Sequence, residues 1–303
     1  MYRKLFKYRH PQKIYRKLLG KKRDYDILEL SWSSALKTKY EENNKSYAIL
    51  YRPKRNRRNK SVIVVPGLRS TALCERGISI FLAKNGFDCY IFVLPYHHKR
   101  TPEGYKNGEL FLSTDLFLSG SALLQSIKEI RTLADFCEGE RVGIVGVSLG
   151  GFLMHILMGV DNRFKAGIAI SSGGNLNRIL WEGFVGIAIK RLLRKSGVTD
   201  SDYLKILERF KTFIEDAIND NWRKPDFPWF LIDPLTYAHL NQPRNIVMFN
   251  GIIDPVIPLK AVLELWDAIG KPKLFLIPAG HLLVYPFYLL IIFYSINFFK
   301  RNL

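Results

Sequence analysis

The stretch VGIVGVSLGGFLMHILMGV, Val142–Val160, carries three structural signals in nineteen residues. Val142–Val147 is a short apolar run rich in β-branched residues, the composition of a fully buried strand. It runs without a break into Gly146-Val147-Ser148-Leu149-Gly150, and then into GFLMHILMGV, an apolar run of helical length. A serine between a strand and a helix, with glycine two positions to either side, marks a tight turn that lifts the hydroxyl above the sheet. The glycines let strand and helix approach without side-chain clash. Ser148 is therefore the candidate nucleophile.

Outward from this turn, the chain alternates apolar runs with longer helical stretches, the pattern of a mostly parallel sheet covered by helices. Eight strands are expected: Asp26–Trp32, Tyr47–Tyr51, Val62–Val65, Cys89–Leu94, Val142–Val147, Ala166–Ile170, Asn245–Asn250 and Lys273–Ile277. Helices are expected over Thr71–Asn85, Thr114–Cys137, Leu149–Asp161 and Leu259–Ile269. The rhythm breaks over about 173–230, where FVGIAIKRLL and DYLKILERFKTFIEDAI read as helices with no strand between them, so this segment is expected to be a cap inserted over the site.

A serine hydroxyl needs a base to take its proton. His281 follows the strand Lys273–Ile277 in IPAGH, and Asp254 follows the preceding strand in IVMFNGIIDPVIP. A carboxylate there would hold the imidazole in one tautomer and stabilise its charged form. Asp233 is the alternative acid, but it precedes its strand instead of following it. His155 and Met154 on the helix after the turn read as core packing, and His239 is given no role.

With GVSLGG, NGIIDPVIP and PAGH in this order, each after a strand, the sequence resembles the α/β-hydrolase superfamily from about Ile27 onward. The resemblance implies an α/β-hydrolase fold with a mostly parallel eight-stranded sheet, flanking helices and a helical cap. It also implies a Ser148-His281-Asp254 triad and an oxyanion hole formed by backbone N–H groups. Leu149 would supply one of these, and Leu68 in VIVVPGLRS the other. Many relatives carry His-Gly where this chain has Pro66-Gly67. Arg69 and, in the loop LPYHHKRTPEGY, His97, His98 and Arg100 are candidate contacts to a substrate headgroup; the alternative is that the loop residues are solvated. The expected reaction is hydrolysis of an acyl or lipid-like ester with no cofactor and no metal. Peptidase or thioesterase chemistry would use the same triad, and a non-catalytic scaffold that keeps the fold is the alternative from another class.

The chain has 46 Lys+Arg against 27 Asp+Glu, a formal charge of +19. This favours an anionic surface, such as a membrane, if the charge has a partner at all. No helix-turn-helix, zinc-finger or aromatic RNA-binding signature accompanies the basic runs, which argues against nucleic acid. Residues 1–25 read as a basic amphipathic arm, helical and broken near Pro11, lying on a membrane or packed on a domain spanning 26–303. The N-terminus lacks the apolar stretch of a secretory signal. Cys74, Cys89 and Cys137 stand far apart and read as thiols of a reducing compartment; a cytoplasmic location is expected, with membrane attachment through either end as the variant. LLVYPFYLLIIFYSINFF, 282–299, carries no charge and borders on membrane-spanning length. It is expected to be a final helix packed on the sheet, a helix at the membrane interface, or an anchor.

Overall fold

The computed structural model describes residues 2–8, 10, 13–113, 115–138, 141–195, 197–241, 245–281 and 285–303. Its centre is a nine-stranded sheet. The strands are β1 (Tyr15–Lys21), β2 (Tyr25–Ser33), β3 (Lys45–Pro53), β4 (Ser61–Val65), β5 (Asp88–Val93), β6 (Val142–Val147), β7 (Phe164–Ile170), β8 (Asn245–Gly251) and β9 (Lys273–Ile277). They lie in the order β1-β2-β3-β5-β4-β6-β7-β8-β9. The pairs from β1 to β5 are antiparallel, and those from β5 across to β9 are parallel.

The described helices are α1 (Tyr2–Leu5), α2 (Leu73–Lys84), α3 (Leu116–Asp135), α4 (Leu149–Val160), α5 (Leu176–Glu182), α6 (Ile187–Lys195), α7 (Asp200–Ile218), α8 (Leu259–Ala268) and α9 (Tyr288–Asn302). The central strands are buried on both faces, which is why they read as continuous apolar runs. Along β4, Ile63 and Val65 face a core shared with α3 and α4, while Val62 and Val64 face a second core shared with α2 and α9. Burial of both faces is the main stabilisation of such a sheet, at roughly 25 cal/mol per Å² of apolar area removed from water. Between β7 and β8 come α5, α6 and α7, with no strand among the described residues.

Two expectations are corrected. All eight expected strands are present to within one or two residues, but a ninth, β1, pairs antiparallel with β2 where the sequence predicts an amphipathic helix. β1 is an edge strand exposed along most of its length, with Leu18 and Leu19 each 49% exposed. A strand with no buried face has no reason to alternate apolar and polar residues, so its sequence carried no period of two. The arm is nonetheless tied down, since Phe6 is buried and Arg131 Nη1 donates to its carbonyl at 2.6 Å. Pro11 lies outside the described residues.

Among the described residues, no helix is long and apolar enough to cross a membrane. α9 buries Tyr288, Ile291, Ile292, Ile296 and Phe299 in the core it shares with α2 and the sheet. Its other face leaves Leu289, Leu290 and Phe293 exposed. Residues 282–284 lie outside the described residues.

Candidate active site

The parallel strands deliver the chemistry at their C-terminal ends, where open α/β sheets bind ligands. Ser148 sits between β6 and α4 with φ 52° and ψ −114°, a backbone conformation that a non-glycine residue adopts only when its surroundings enforce it. The enforcement is visible. Ser148 N–H donates to Ile170 O at 2.7 Å, and its carbonyl accepts from Gly151 and Phe152. A Cβ at Gly146 would fall 2.2 Å from Gly150 O, and one at Gly150 would fall 2.0 Å from Val65 O. No residue but glycine fits either position.

His281 reaches Ser148 from the loop after β9, its Nε2 2.9 Å from Ser148 Oγ. Its Nδ1 lies 2.7 Å from Asp254 Oδ2. Asp254 stands after β8, and its other oxygen accepts the Val256 and Ile257 amides at 2.8 and 3.0 Å. An ionised carboxylate only accepts, so the proton sits on Nδ1, and Nε2 offers its lone pair to the serine hydroxyl. The acid and histidine loops are held together by Ile252 N–H to Ile277 O and Ile253 N–H to Ala279 O. The side chain of Asp254 is 1% exposed and that of His281 14%, so solvent competes little for either bond.

The loop after β4 shows a selective use of its amides. Gly67 N–H donates to Glu75 Oε1 at 3.4 Å, Arg69 N–H to His97 Nε2 at 3.0 Å, and Ser70 N–H to Gly67 O at 3.2 Å. Among the described residues, the Leu68 N–H has no such partner. Leu149 is the first residue of α4, where amides have no intrahelical acceptor. Leu68 and Leu149 line one cleft of about 590 Å³ with Ser148 and His281. Its walls are largely apolar, with Phe111, Leu123, Phe152, Leu176, Ile179 and Ile257 among them. α5 thus supplies part of the cleft wall.

Of the candidate substrate contacts, only Arg69 lines this cleft, with φ 57°. His97 is corrected: it is 2% exposed, and both ring nitrogens are engaged by backbone, Nδ1 with Pro95 O at 2.7 Å and Nε2 with Arg69 N–H. His98 is not among the residues that line this cleft; it is exposed and borders a separate cavity against β2, β3 and α2. Arg100 is fully buried, paired with the equally buried Glu129 at 2.6 Å. Asp233 accepts the Asn175 and Leu235 amides at 3.0 and 2.9 Å and also that of Leu176, so its oxygens are occupied away from His281. Burial pushes its carboxyl up to about 6, against the three amides that pull it down. His155 is fully buried, and among the described residues neither ring nitrogen has a hydrogen-bond partner. Among the described residues no group of three or more His, Cys, Asp or Glu could hold a metal ion. The amide partnership of Glu75 and His97 with the Gly67–Ser70 loop was missed in the sequence, because spacing along a chain does not show which loop histidine or acid folds inward.

A mostly parallel sheet, a strained serine turn after a central strand, and an acid and a histidine after the last two strands define an α/β-hydrolase. The family described as alpha/beta hydrolase domain containing 18 matches residues 39–226, more than half of the chain, and the chain belongs to it. Uncharacterized protein Rv2627c of Mycobacterium tuberculosis (strain H37Rv) is 22% identical over 261 residues, covering 80% of this chain and 54% of that protein. The chain therefore spans about half the length of the curated relatives it matches. Among solved structures, acetyl xylan esterase 1 from Thermoanaerobacterium sp. JW/SL YS485 superposes with a TM-score of 0.66 at 17% identity, over 98% of this chain and 92% of that one. A cold-adapted esterase from an Arctic intertidal metagenomic library gives 0.61 at 14%, over 94% and 97%. At these identities the likeness is one of fold.

Proposed function

We propose that the chain is a serine hydrolase that cleaves carboxylic esters by transferring the acyl group to Ser148 and then to water. The observation that carries this reading is the continuous relay from Ser148 Oγ through His281 to Asp254. As Ser148 Oγ bonds to the carbonyl carbon, its proton passes to His281 Nε2. The carbonyl π electrons move onto oxygen, where the Leu68 and Leu149 amides donate to the new charge. Collapse restores the carbonyl and expels the alcohol oxygen, which takes the proton from His281. Water then repeats the sequence against the acyl-serine, and Ser148 leaves with its proton restored.

Asp254 keeps the Nδ1 proton in place and stabilises the imidazolium. The largely apolar cleft favours an acyl chain over a hydrophilic group on the acid side. Two proteins of similar fold are esterases, which agrees with this chemistry. The test is hydrolysis of p-nitrophenyl esters of graded chain length by the wild type and Ser148→Ala. The reading expects activity that is lost in the variant; equal rates in both would overturn it.

A further inference from the structure

We propose that His97 is a positioning residue for the oxyanion loop, its Nε2 holding the Arg69 amide so that the neighbouring Leu68 amide stays directed at the reacting carbonyl. The proposal rests on the hydrolase reading for its effect on rate, though not for its effect on the loop.

Nδ1 of His97 faces a carbonyl, Pro95 O at 2.7 Å, and therefore carries the ring proton. Nε2 is left as an acceptor, and what it accepts is the amide of Arg69, one residue beyond Leu68. Arg69 is held at φ 57°, a conformation with little intrinsic preference for a side-chain-bearing residue. Glu75 grips the same loop from α2 through the Gly67 amide and the Ser70 hydroxyl. Gly67, Arg69 and Ser70 are thus fixed from two sides around Leu68, whose amide is left open.

The ring itself cannot drift. Phe111 packs against it edge-on at 5.6 Å, and Gly108 abuts it so closely that a Cβ there would lie 2.5 Å from Nε2. Its backbone is anchored in turn. Arg100 N–H donates to His97 O at 2.9 Å, and Tyr96 N–H to the buried Asn43 Oδ1 at 3.1 Å. The Arg100 guanidinium makes two bonds to buried Glu129, at 2.6 and 2.9 Å. A buried arginine and glutamate are costly unless fully paired. Here they fix the segment that carries His97. Burial lowers the His97 pKa to about 4, with His98, Arg100 and Arg69 adding to the effect, so the ring remains a neutral acceptor at ordinary pH.

The experiment compares His97→Phe, which keeps ring packing and removes the acceptor, with His97→Gln, whose Oε1 reaches the position of Nε2. The full chain is used throughout, with p-nitrophenyl butyrate as substrate and thermal unfolding as the check on folding. His97→Phe is expected to lose about 10- to 100-fold in kcat with KM within about twofold, and His97→Gln to recover most of the loss. His98→Asn, at the exposed neighbour, stays within about twofold of wild type. Amide hydrogen exchange over 67–70 gives a second readout, independent of turnover: faster in His97→Phe and near wild type in His97→Gln. Unchanged exchange in His97→Phe, or kcat within about twofold of an active wild type, overturns the proposal. A wild type without ester turnover refutes the hydrolase reading instead, and the exchange result then still decides whether His97 clamps the loop.

Discussion

His281 Nε2 lies 2.9 Å from Ser148 Oγ although 133 positions separate the two residues in the chain. The separation is bridged by the sheet: β6 and β9 present their C-terminal ends on the same edge, and the intervening strands set their spacing. Asp254 completes the arrangement from the loop after β8.

Asp254→Asn tests the tautomer argument. The asparagine oxygen can still accept the Val256 and Ile257 amides, so the loop keeps its shape, while its NH₂ faces His281 Nδ1. That turns the imidazole to the tautomer with Nε2 protonated, which cannot take a proton from Ser148. Ester hydrolysis is expected to fall about 10³- to 10⁴-fold in kcat with unfolding midpoints close to wild type, measured by steady-state kinetics and circular dichroism.

Gly150→Ala tests whether glycine is required by space. The added Cβ would fall 2.0 Å from Val65 O, a backbone atom of a central strand that cannot give way cheaply. A loss of about 3 kcal/mol or more in unfolding free energy is expected, read by urea denaturation.

These two sites were legible in the sequence for the same reason. Strand, turn and helix are local patterns, and Gly146, Ser148 and Gly150 announce a geometry that chain-local sterics impose. Asp254 and His281 were legible because each directly follows an apolar run. β1 was not legible, because Tyr15–Lys21 buries almost nothing and so leaves no periodic trace. The inward turn of His97 and the burial of Arg100 were not legible either: LPYHHKR is as polar as a solvated loop, and what draws it inward is Glu129, Asn43 and the Arg69 amide, far away in the chain.

His155 lies on the buried side of α4, where neither ring nitrogen has a partner among the described residues, and burial pushes its pKa down to about 3. Below the unfolded value of about 6.5, the unfolded chain binds a proton that the folded chain refuses. The associated stability is therefore complete above about pH 6.5 and is lost as pH falls toward 3; His97 acts in the same sense down to about 4. His155→Leu is expected to raise stability by about 1–2 kcal/mol at pH 7. It is also expected to flatten the decline between pH 6.5 and 4 by about one proton, measured by urea unfolding at a series of pH values.

Leu176 lines the cleft from the start of α5. Leu176→Trp adds bulk to that wall, and the expected outcome is a shift of the preferred p-nitrophenyl ester toward shorter acyl chains, with acetate turnover within about twofold of wild type. An unchanged chain-length profile would place the acyl group elsewhere in the cleft.

The most direct test of the central claim is labelling of the intact protein with a fluorophosphonate, followed by peptide mass spectrometry. The account predicts a stoichiometric adduct on Ser148, absent from Ser148→Ala and slowed strongly in His281→Ala. Folded wild-type protein that takes up no label, or takes it up on another residue, would contradict it.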